Sequence, residues 1–309
     1  VHIVRPNAPG EHWRALSEVA NGIEWSFLQL GAAHHRDRLV VFNIHRFDGT
    51  LPPHVTEVQL DGAIIYNAEQ VPTAPLTQLS PGWQKYLDVM RKRVVWDYST
   101  TNIERLRRYG VEKLVHCRVG WWPGLRVRLP PCHGAQHFAD QMGGYVGRCS
   151  VCGGSEVLPV EQDVDVLFIG SVNARRAMLF IDLAARGLKL KTLFGVYGQE
   201  RDDWMLRSKV ILNAHFYDNP IHEIFRTSHA LANSKCVVTE DGGCDSELEN
   251  FAAKTMVRVP YAKLGDVCAD MVKNSDKRRY YEIKGHAEFG ALQQVDEVRR
   301  ALEETEKLW

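Results

Sequence analysis

This sequence predicts an α/β protein of two domains, each built on a parallel sheet. Three observations carry the prediction. Apolar runs of four to six residues recur along the chain, too short for helices. Stretches with helical period separate them, the rhythm of strand–helix–strand crossovers. An irregular segment, 121–163, rich in Pro, Gly and Cys, divides the chain into halves. With 309 residues there is room for two domains of ordinary size.

The opening residues, Val1-His2-Ile3-Val4-Arg5-Pro6, form a short strand-like piece. Residues 39–44 (LVVFNI), 63–66 (AIIY) and 113–117 (KLVHC) read as buried parallel strands. Between the last two, 83–91 and 101–109 have helical period. Ser99 or Thr100 is a natural N-cap for the second of these, and Gly110 a natural C-cap.

The second half is more regular. Residues 165–169 (DVLFI) form a strand, followed by Gly170-Ser171 and a helix running to Gly187. Further strands are expected at 190–194, 210–213, 236–239 and 256–259, with helices at 202–208, 223–233 and 264–273. In such sheets ligands bind outside the carboxyl ends of the strands. Gly170-Ser171, Gly195, Asn213-Ala214-His215 and Glu240-Asp241-Gly242 fall there. The segment 121–163 has neither period, so it reads as a linker or a functional insertion.

Composition narrows the function classes. Lys plus Arg equals Asp plus Glu, 38 against 38, so global charge selects no partner. No apolar run approaches the ~20 residues of a membrane span. The first residues do not have the pattern of a signal peptide. Seven cysteines, an odd number with no secretion signal, favour reduced thiols or a metal site over a disulfide framework. The expected location is the cytoplasm.

Two constellations of the second half suit an anionic ligand. In DVLFIGSVNARR, a strand ends in Gly-Ser, and Asn173, Arg175 and Arg176 open the next helix. Gly170 lets a ligand approach the backbone, while the helix N-terminus and the arginines supply positive charge for a diphosphate. The plain alternative is a tight turn with two solvated arginines. In KVILNAHFYDNPIHEIFRT, a strand delivers Asn213 and His215 to a loop, and Glu223 and Arg226 follow one helical turn apart. Glu223 can accept from ribose hydroxyls and Arg226 can pair with phosphate; the alternative is a capping Glu with an i,i+3 ion pair.

The run 165–240 resembles the donor domain of bacterial GT-B glycosyltransferases of the group 1 type. The matching pieces are FIGSVNARR, LKLKTLFGVYGQERD, KVILNAHFYDNPIHEIFRTSHALANSKCVVTE and VPYAKLGDVCADMVKN. In the first half, AIIYNAEQV and VVWDYSTTNIERLRRYGV resemble the acceptor domain of the same proteins. The resemblance covers most of the chain outside 121–163. It implies a GT-B fold, two Rossmann-like domains with the active site in the cleft between them. It implies donor contacts from Gly170, Ser171, Asn173, Arg175 and Arg176, from Gly195, Tyr197 and Gly198, and from His215, Glu223 and Arg226. One position departs. Many retaining members carry a second glutamate just before an Ala-Met-Ala-like step, and that position here is His229 (HALANS).

Candidate catalytic residues are Asp97, Glu69 and His215. Glu69 (YNAEQ) and Asp97 (WDYS) each follow an apolar run. An inverting transferase needs one carboxylate to take the acceptor proton, and either could serve. The alternative is that Asp97 caps the following helix and Glu69 anchors backbone. No Asp-x-Asp follows an apolar strand, since Asp163-Val164-Asp165 precedes its strand, so no catalytic metal is expected.

The insertion carries Cys132-His133, His137 and Cys149-x-x-Cys152-Gly153-Gly154. Two thiolates across a tight turn can share one zinc, with Cys132 and His137 or His133 completing a tetrahedron and Cys117 a further candidate. Such a zinc would be structural, and incidental free cysteines are the alternative. Finally, 83–130 holds eleven basic residues against four acidic ones, together with Trp121 and Trp122. A basic surface with aromatics suits a polyanionic acceptor; a solvated helix face with packed tryptophans is the alternative.

The expected domains are 1–128 on the acceptor side, 129–163 as the insertion, and 164–309 on the donor side, the last helix returning to the first domain. The leading function is transfer of a sugar from a nucleotide-sugar to a hydroxyl acceptor, a glycan or small molecule. The competing ones are glycosyl transfer to nucleic acid (DNA modification) and a non-catalytic GT-B-like binding module.

Overall fold

The computed structural model describes residues 2–4, 16–31, 39–42, 62–127, 138–139, 145–146, 160–216 and 220–309. The chain divides into two compact units, Val1–Trp122 with Leu292–Trp309, and Pro123–Ala291.

The sheet of the first unit comprises β1 (His2–Val4), β2 (Leu39–Phe42), β3 (Ile64–Asn67), β4 (Val94–Asp97) and β5 (Leu114–His116). They lie side by side in sequence order, every pair parallel. All four residues of β3 and of β4 are buried, as expected of strands covered on both faces. Helices α1 (Ser17–Gln29), α2 (Pro81–Met90) and α3 (Thr100–Arg108) accompany them. Their starts are written locally. Ser80 accepts from the Trp83 N–H ahead of Pro81, and Ser99 accepts from the Asn102 N–H. Gly110, at φ +79, takes the left-handed conformation that ends α3. The apolar core of Val41, Ile65, Tyr86, Leu87, Val95 and Leu106 joins sheet to helices. Each such side chain contributes ~1.5–3 kcal/mol by leaving water.

Within the insertion, β6 (Phe138–Ala139) and β7 (Tyr145–Val146) pair antiparallel. The second unit has its own five-stranded parallel sheet of β8 (Val164–Ile169), β9 (Leu190–Leu193), β10 (Ser208–Asn213), β11 (Cys236–Glu240) and β12 (Val257–Val259). The order is β12-β11-β10-β8-β9. The connection from β8 outward to β9 and back past it to β10 reverses direction next to β8. This is the switch point where doubly wound sheets open a crevice at their strands' carboxyl ends. The helices are α4 (Ala174–Ala185), α5 (Gln199–Leu206), α6 (Ile224–Ala232), α7 (Ser246–Thr255), α8 (Leu264–Lys273) and α9 (Ser275–Gly290). Phe168, Leu179, Leu183, Leu212, Val238 and Met271 belong to the core.

The last helix, α10 (Gln294–Glu306), belongs to the first unit. It packs on α1 and β5. Gln294 accepts from the Gly120 N–H at 2.7 Å, and Trp96 donates to Thr305 at 2.8 Å. Phe27 of α1 stacks on Trp96 at 6.3 Å between ring centres. None of the helices among the described residues is long and apolar enough to cross a membrane.

Candidate functional site

The carboxyl ends of β8, β10 and β11 bring a dense polar cluster together. Gly170 ends β8 at φ +145, a backbone conformation that side chains rarely adopt. Asn173 caps α4 by accepting from the Arg176 N–H at 2.9 Å, and its amide donates to the Phe216 carbonyl at 3.1 Å. That double contact ties the β8 loop to the β10 loop.

The three arginines of the cluster have different tasks. Arg176 is buried. Its guanidinium donates to the carbonyls of Ala214 (2.9 Å) and Ser171 (2.8 Å) and meets Glu223 at 3.2 Å. Burial and then the charge of Arg226 push its pKa down to about 10. Arg176 therefore cross-links the loops after β8 and β10. Arg175 reaches across to β11, where both its terminal nitrogens engage the Glu240 carboxylate, one at 2.7 Å. Its guanidinium stacks on Tyr261 at 3.8 Å, and the Tyr261 hydroxyl donates to the Arg175 carbonyl at 2.6 Å. Its charge is half-exposed but already matched.

Arg226 differs. One terminal nitrogen donates to Asn213 Oδ1 at 2.7 Å. The other stands 2.8 Å from where a Gly170 β-carbon would lie. The guanidinium is 5.5 Å from the centre of the Phe168 ring. Among the described residues no carboxylate forms an ion pair with it. It is half-buried, and desolvation lowers its pKa against the opposing pull of Glu223.

Glu223 stands at the start of α6 and is the hub of the cluster. It receives Asn213 at 3.1 Å, His215 Nδ1 at 3.1 Å and Arg176. Burial raises its pKa, but the His215 hydrogen bond and the charge of Arg226 outweigh this and hold it at about 2. His215 is 2 % exposed. Burial pushes its imidazole down, and the bond and charge of Glu223, with Glu240 behind, outweigh that and raise it above the ordinary range. Its other nitrogen, Nε2, is buried with no hydrogen-bond partner among the described residues. Gly195, Tyr197 and Gly198 follow β9 on the same edge of the sheet. His229 lies apart from this hub, held by Arg201 and Asp202 of α5, each at 2.9 Å.

The remaining candidates lie elsewhere. Asp97 ends β4 in the first unit and is fully buried. Its carboxylate accepts from Asn67 (2.6 Å), the Ser99 N–H (2.8 Å) and Asn102 (3.1 Å). Glu69 follows β3 and is half-buried. Cys132, His133, His137, Cys149 and Cys152 lie outside the described residues. Cys117 is a buried free thiol. Among the described residues no cluster of three or more His, Cys, Asp or Glu has the geometry of a metal site. Asp163 and Asp165, at the opposite end of β8, pair with Arg207 and with Lys209.

The basic stretch is partly structural and partly solvated. Arg105 is buried and donates to the Val71 carbonyl, Arg91 pairs with Asp88, and Arg118 pairs with Glu297. Trp122 packs its ring on Trp25 and against Gly22. Lys85, Lys92, Arg107, Arg108 and Lys113 are exposed.

Asn67, Asn102 and Tyr261 were not singled out from sequence. Each ends a strand or opens a helix at a strand's carboxyl end, the one signal that marks them.

No protein-family model matches this chain. Two uncharacterized proteins of Acanthamoeba polyphaga mimivirus share part of it. L138 is 28% identical over 129 residues, 41% of this chain and 15% of that one. L140 is 26% identical over 117 residues, 37% of this chain and 38% of that one. The chain thus matches well under half the length of either relative. Solved structures match nearly all of it. Anabaena Alr3699/HepE, in complex with UDP-glucose, superposes with a TM-score of 0.59 at 10% identity, over 99% of this chain and 98% of that one. WaaG, a glycosyltransferase of lipopolysaccharide biosynthesis, gives 0.52 at 12% identity, over 97% and 84%. The fold is GT-B, with two Rossmann-like domains. The matches do not carry the bacterial origin named in the resemblance, since the curated relatives are viral.

Proposed function

We propose that the chain is a glycosyltransferase that takes a sugar from a nucleotide-sugar bound at the strand ends of its second unit. The observation that carries this is Arg226 poised over Gly170, a cation with no ion pair among the described residues, above a backbone that has no side chain in the way. A diphosphate needs both features, and the N-terminus of α4 adds its dipole beside them. Support comes from the fold, since HepE binds UDP-glucose on the same architecture.

In this reading each group has a task set by its surroundings. Arg226 stabilises the charge that develops on the diphosphate as the bond from the anomeric carbon to its oxygen breaks. Glu223, ionised at any physiological pH, accepts from hydroxyls of the donor while keeping His215 oriented. Arg175 and Arg176 hold the loops that shape the site. An inverting transfer passes the proton of the acceptor hydroxyl to a carboxylate, and Glu69 is the group proposed for it. The spacing of Cys149 and Cys152, with Cys132 and His137, is the support for proposing a structural zinc in the insertion. The cytoplasm is the compartment proposed.

Titration of UDP by calorimetry tests the donor site. Saturable binding to the wild type, weakened by Arg226→Ala in a folded variant, is expected. No heat with UDP or with other nucleoside diphosphates would overturn the proposal.

A further inference from the structure

Asp97 and Glu69 entered as rival proton acceptors, yet a hydrogen-bond network joins them. Asp97 Oδ2 accepts from Asn67 Nδ2 at 2.6 Å and Oδ1 from Asn102 Nδ2 at 3.1 Å. The same two amide nitrogens each donate again, and both second bonds fall on one atom, the Glu69 carbonyl oxygen, at 2.9 and 2.8 Å. We propose that Asp97 is the positioning residue for Glu69, acting through the amides of Asn67 and Asn102, and not a proton acceptor itself. The role of Glu69 rests on the glycosyltransferase reading above; the network does not.

A carboxylate only accepts, so Asp97 forces both amides to turn their NH2 groups toward it. The amide oxygens must then face the other way, and they too hold the loop after β3. Asn102 Oδ1 accepts from the Val71 N–H at 2.8 Å. Asn67 Oδ1 accepts from the Tyr86 hydroxyl at 3.2 Å and the Glu69 N–H at 3.4 Å. Arg105 then secures the Val71 carbonyl at 2.8 Å. The main chain on both sides of Glu69 is thus tied down, and its side chain leaves from a fixed Cα. Asn67, Asp97 and Asn102 are each 0 % exposed, where hydrogen bonds are strong and an unpaired group is costly. That burial also keeps Asp97 from meeting a substrate hydroxyl, whereas Glu69 is half-buried at the strand end.

Asp97→Asn is the test. The new NH2 must face one of the two amide NH2 groups, so one amide flips and sets its oxygen against the Glu69 carbonyl. The loop anchor is lost while the volume is unchanged. Hydrogen exchange should then speed up at least tenfold at Glu69 and Val71, with α4 and α6 of the second unit unaffected. UDP affinity should match the wild type. Turnover should fall ~10- to 100-fold, the scale of a misplaced catalytic group. Glu69→Gln should cost much less in the Asp97→Asn background than alone. Should Asp97→Asn not fold, Asn102→Ser removes one anchor and carries the same expectations. Unchanged exchange at Glu69 and Val71 in a folded variant overturns the proposal, and so do fully additive losses. If UDP does not bind the wild type, the glycosyltransferase reading fails, and the exchange result still decides the Asp97–Glu69 relationship.

Discussion

The guanidinium of Arg226 covers Gly170, with one terminal nitrogen 2.8 Å from the point where a β-carbon on that glycine would lie. A side chain at 170 would displace the guanidinium and would also have to adopt φ +145. Gly170→Ala is therefore expected to cost ~1–3 kcal/mol of stability from backbone strain. It should weaken UDP binding by at least ~10-fold through loss of the charge-assisted contact. Urea unfolding and calorimetry on the same preparation check the two effects; wild-type affinity would show that Arg226 and Gly170 do not form the diphosphate contact.

Arg226 and Arg175 should separate in their effects. Arg226→Ala removes a cation that has no ion pair among the described residues, and is expected to lower UDP affinity ~10- to 100-fold, with little change in Tm. Arg175→Ala leaves Glu240 without its ion-pair partner, with the His215 N–H still donating to it, and Tyr261 without its stacked cation. Its larger effect should be on Tm, with a loss of affinity under ~3-fold. The reverse ranking in calorimetry would assign the diphosphate to Arg175.

Mild acid should destabilise the second unit through His222. This residue is fully buried, its Nε2 lies 3.0 Å from Thr227 Oγ1, and burial pushes its pKa from 6.5 to about 4. Its folded pKa is depressed, so between these values the unfolded chain binds the proton that the folded chain refuses. Stability is complete above pH 6.5 and falls as pH drops toward 4, by on the order of 3 kcal/mol. Glu223 adds its own loss only below its unfolded value of 4.5, as pH falls toward about 2. The raised pKa of His215 acts in the opposite sense, because its contribution is present below 6.5 and lost as pH rises through the folded value. Urea midpoints between pH 7 and 4 should slope steeply in the wild type and flatten in His222→Gln. Equal slopes would remove His222 as the cause.

The cysteines of the insertion predict one zinc per chain. Few large apolar side chains lie in 129–163, so burial there cannot offset an ordering cost of ~1–2 kcal/mol per residue. A tetrahedral metal would supply that free energy locally. Elemental analysis should find one zinc in the wild type and none in Cys149→Ser/Cys152→Ser, whose insertion should be cut faster by protease. A zinc-free wild type with equal protease resistance would mean that the thiols are incidental.

Much of the strand–helix rhythm was legible, because it rests on local pattern. Helix 264–273 coincides with α8, and the buried runs at 165–169, 190–194 and 236–239 lie within a residue of β8, β9 and β11. Strand β4 follows α2 through Arg91-Lys92-Arg93, with no glycine or proline to announce it, and was not read as a strand. Helix α9 was missed because its buried positions are Glu282, Gly285 and Phe289, too thin an apolar stripe to show in its sequence.

The candidate site divides in the same way. Sequence alone determined which residues reach the strand ends, since a parallel sheet places each post-strand loop on one edge whatever its neighbours are. Gly170, Asn173, Arg175, His215, Glu223 and Arg226 were identifiable on that ground. Tertiary structure decided which of them share bonds. Arg175 meets Glu240, 65 residues away, because β8 pairs with β10 and β10 with β11. That match occupies one arginine, burial against Ala214 and Ser171 occupies another, and Arg226 is left facing Gly170. Asp97 and Glu69 looked equivalent in sequence because both follow apolar runs. Asn67 and Asn102 distinguish them, and those contacts exist only once β3 and β4 are paired and α3 is docked beside them. Pairings of this kind depend on distances in space, which local pattern does not encode.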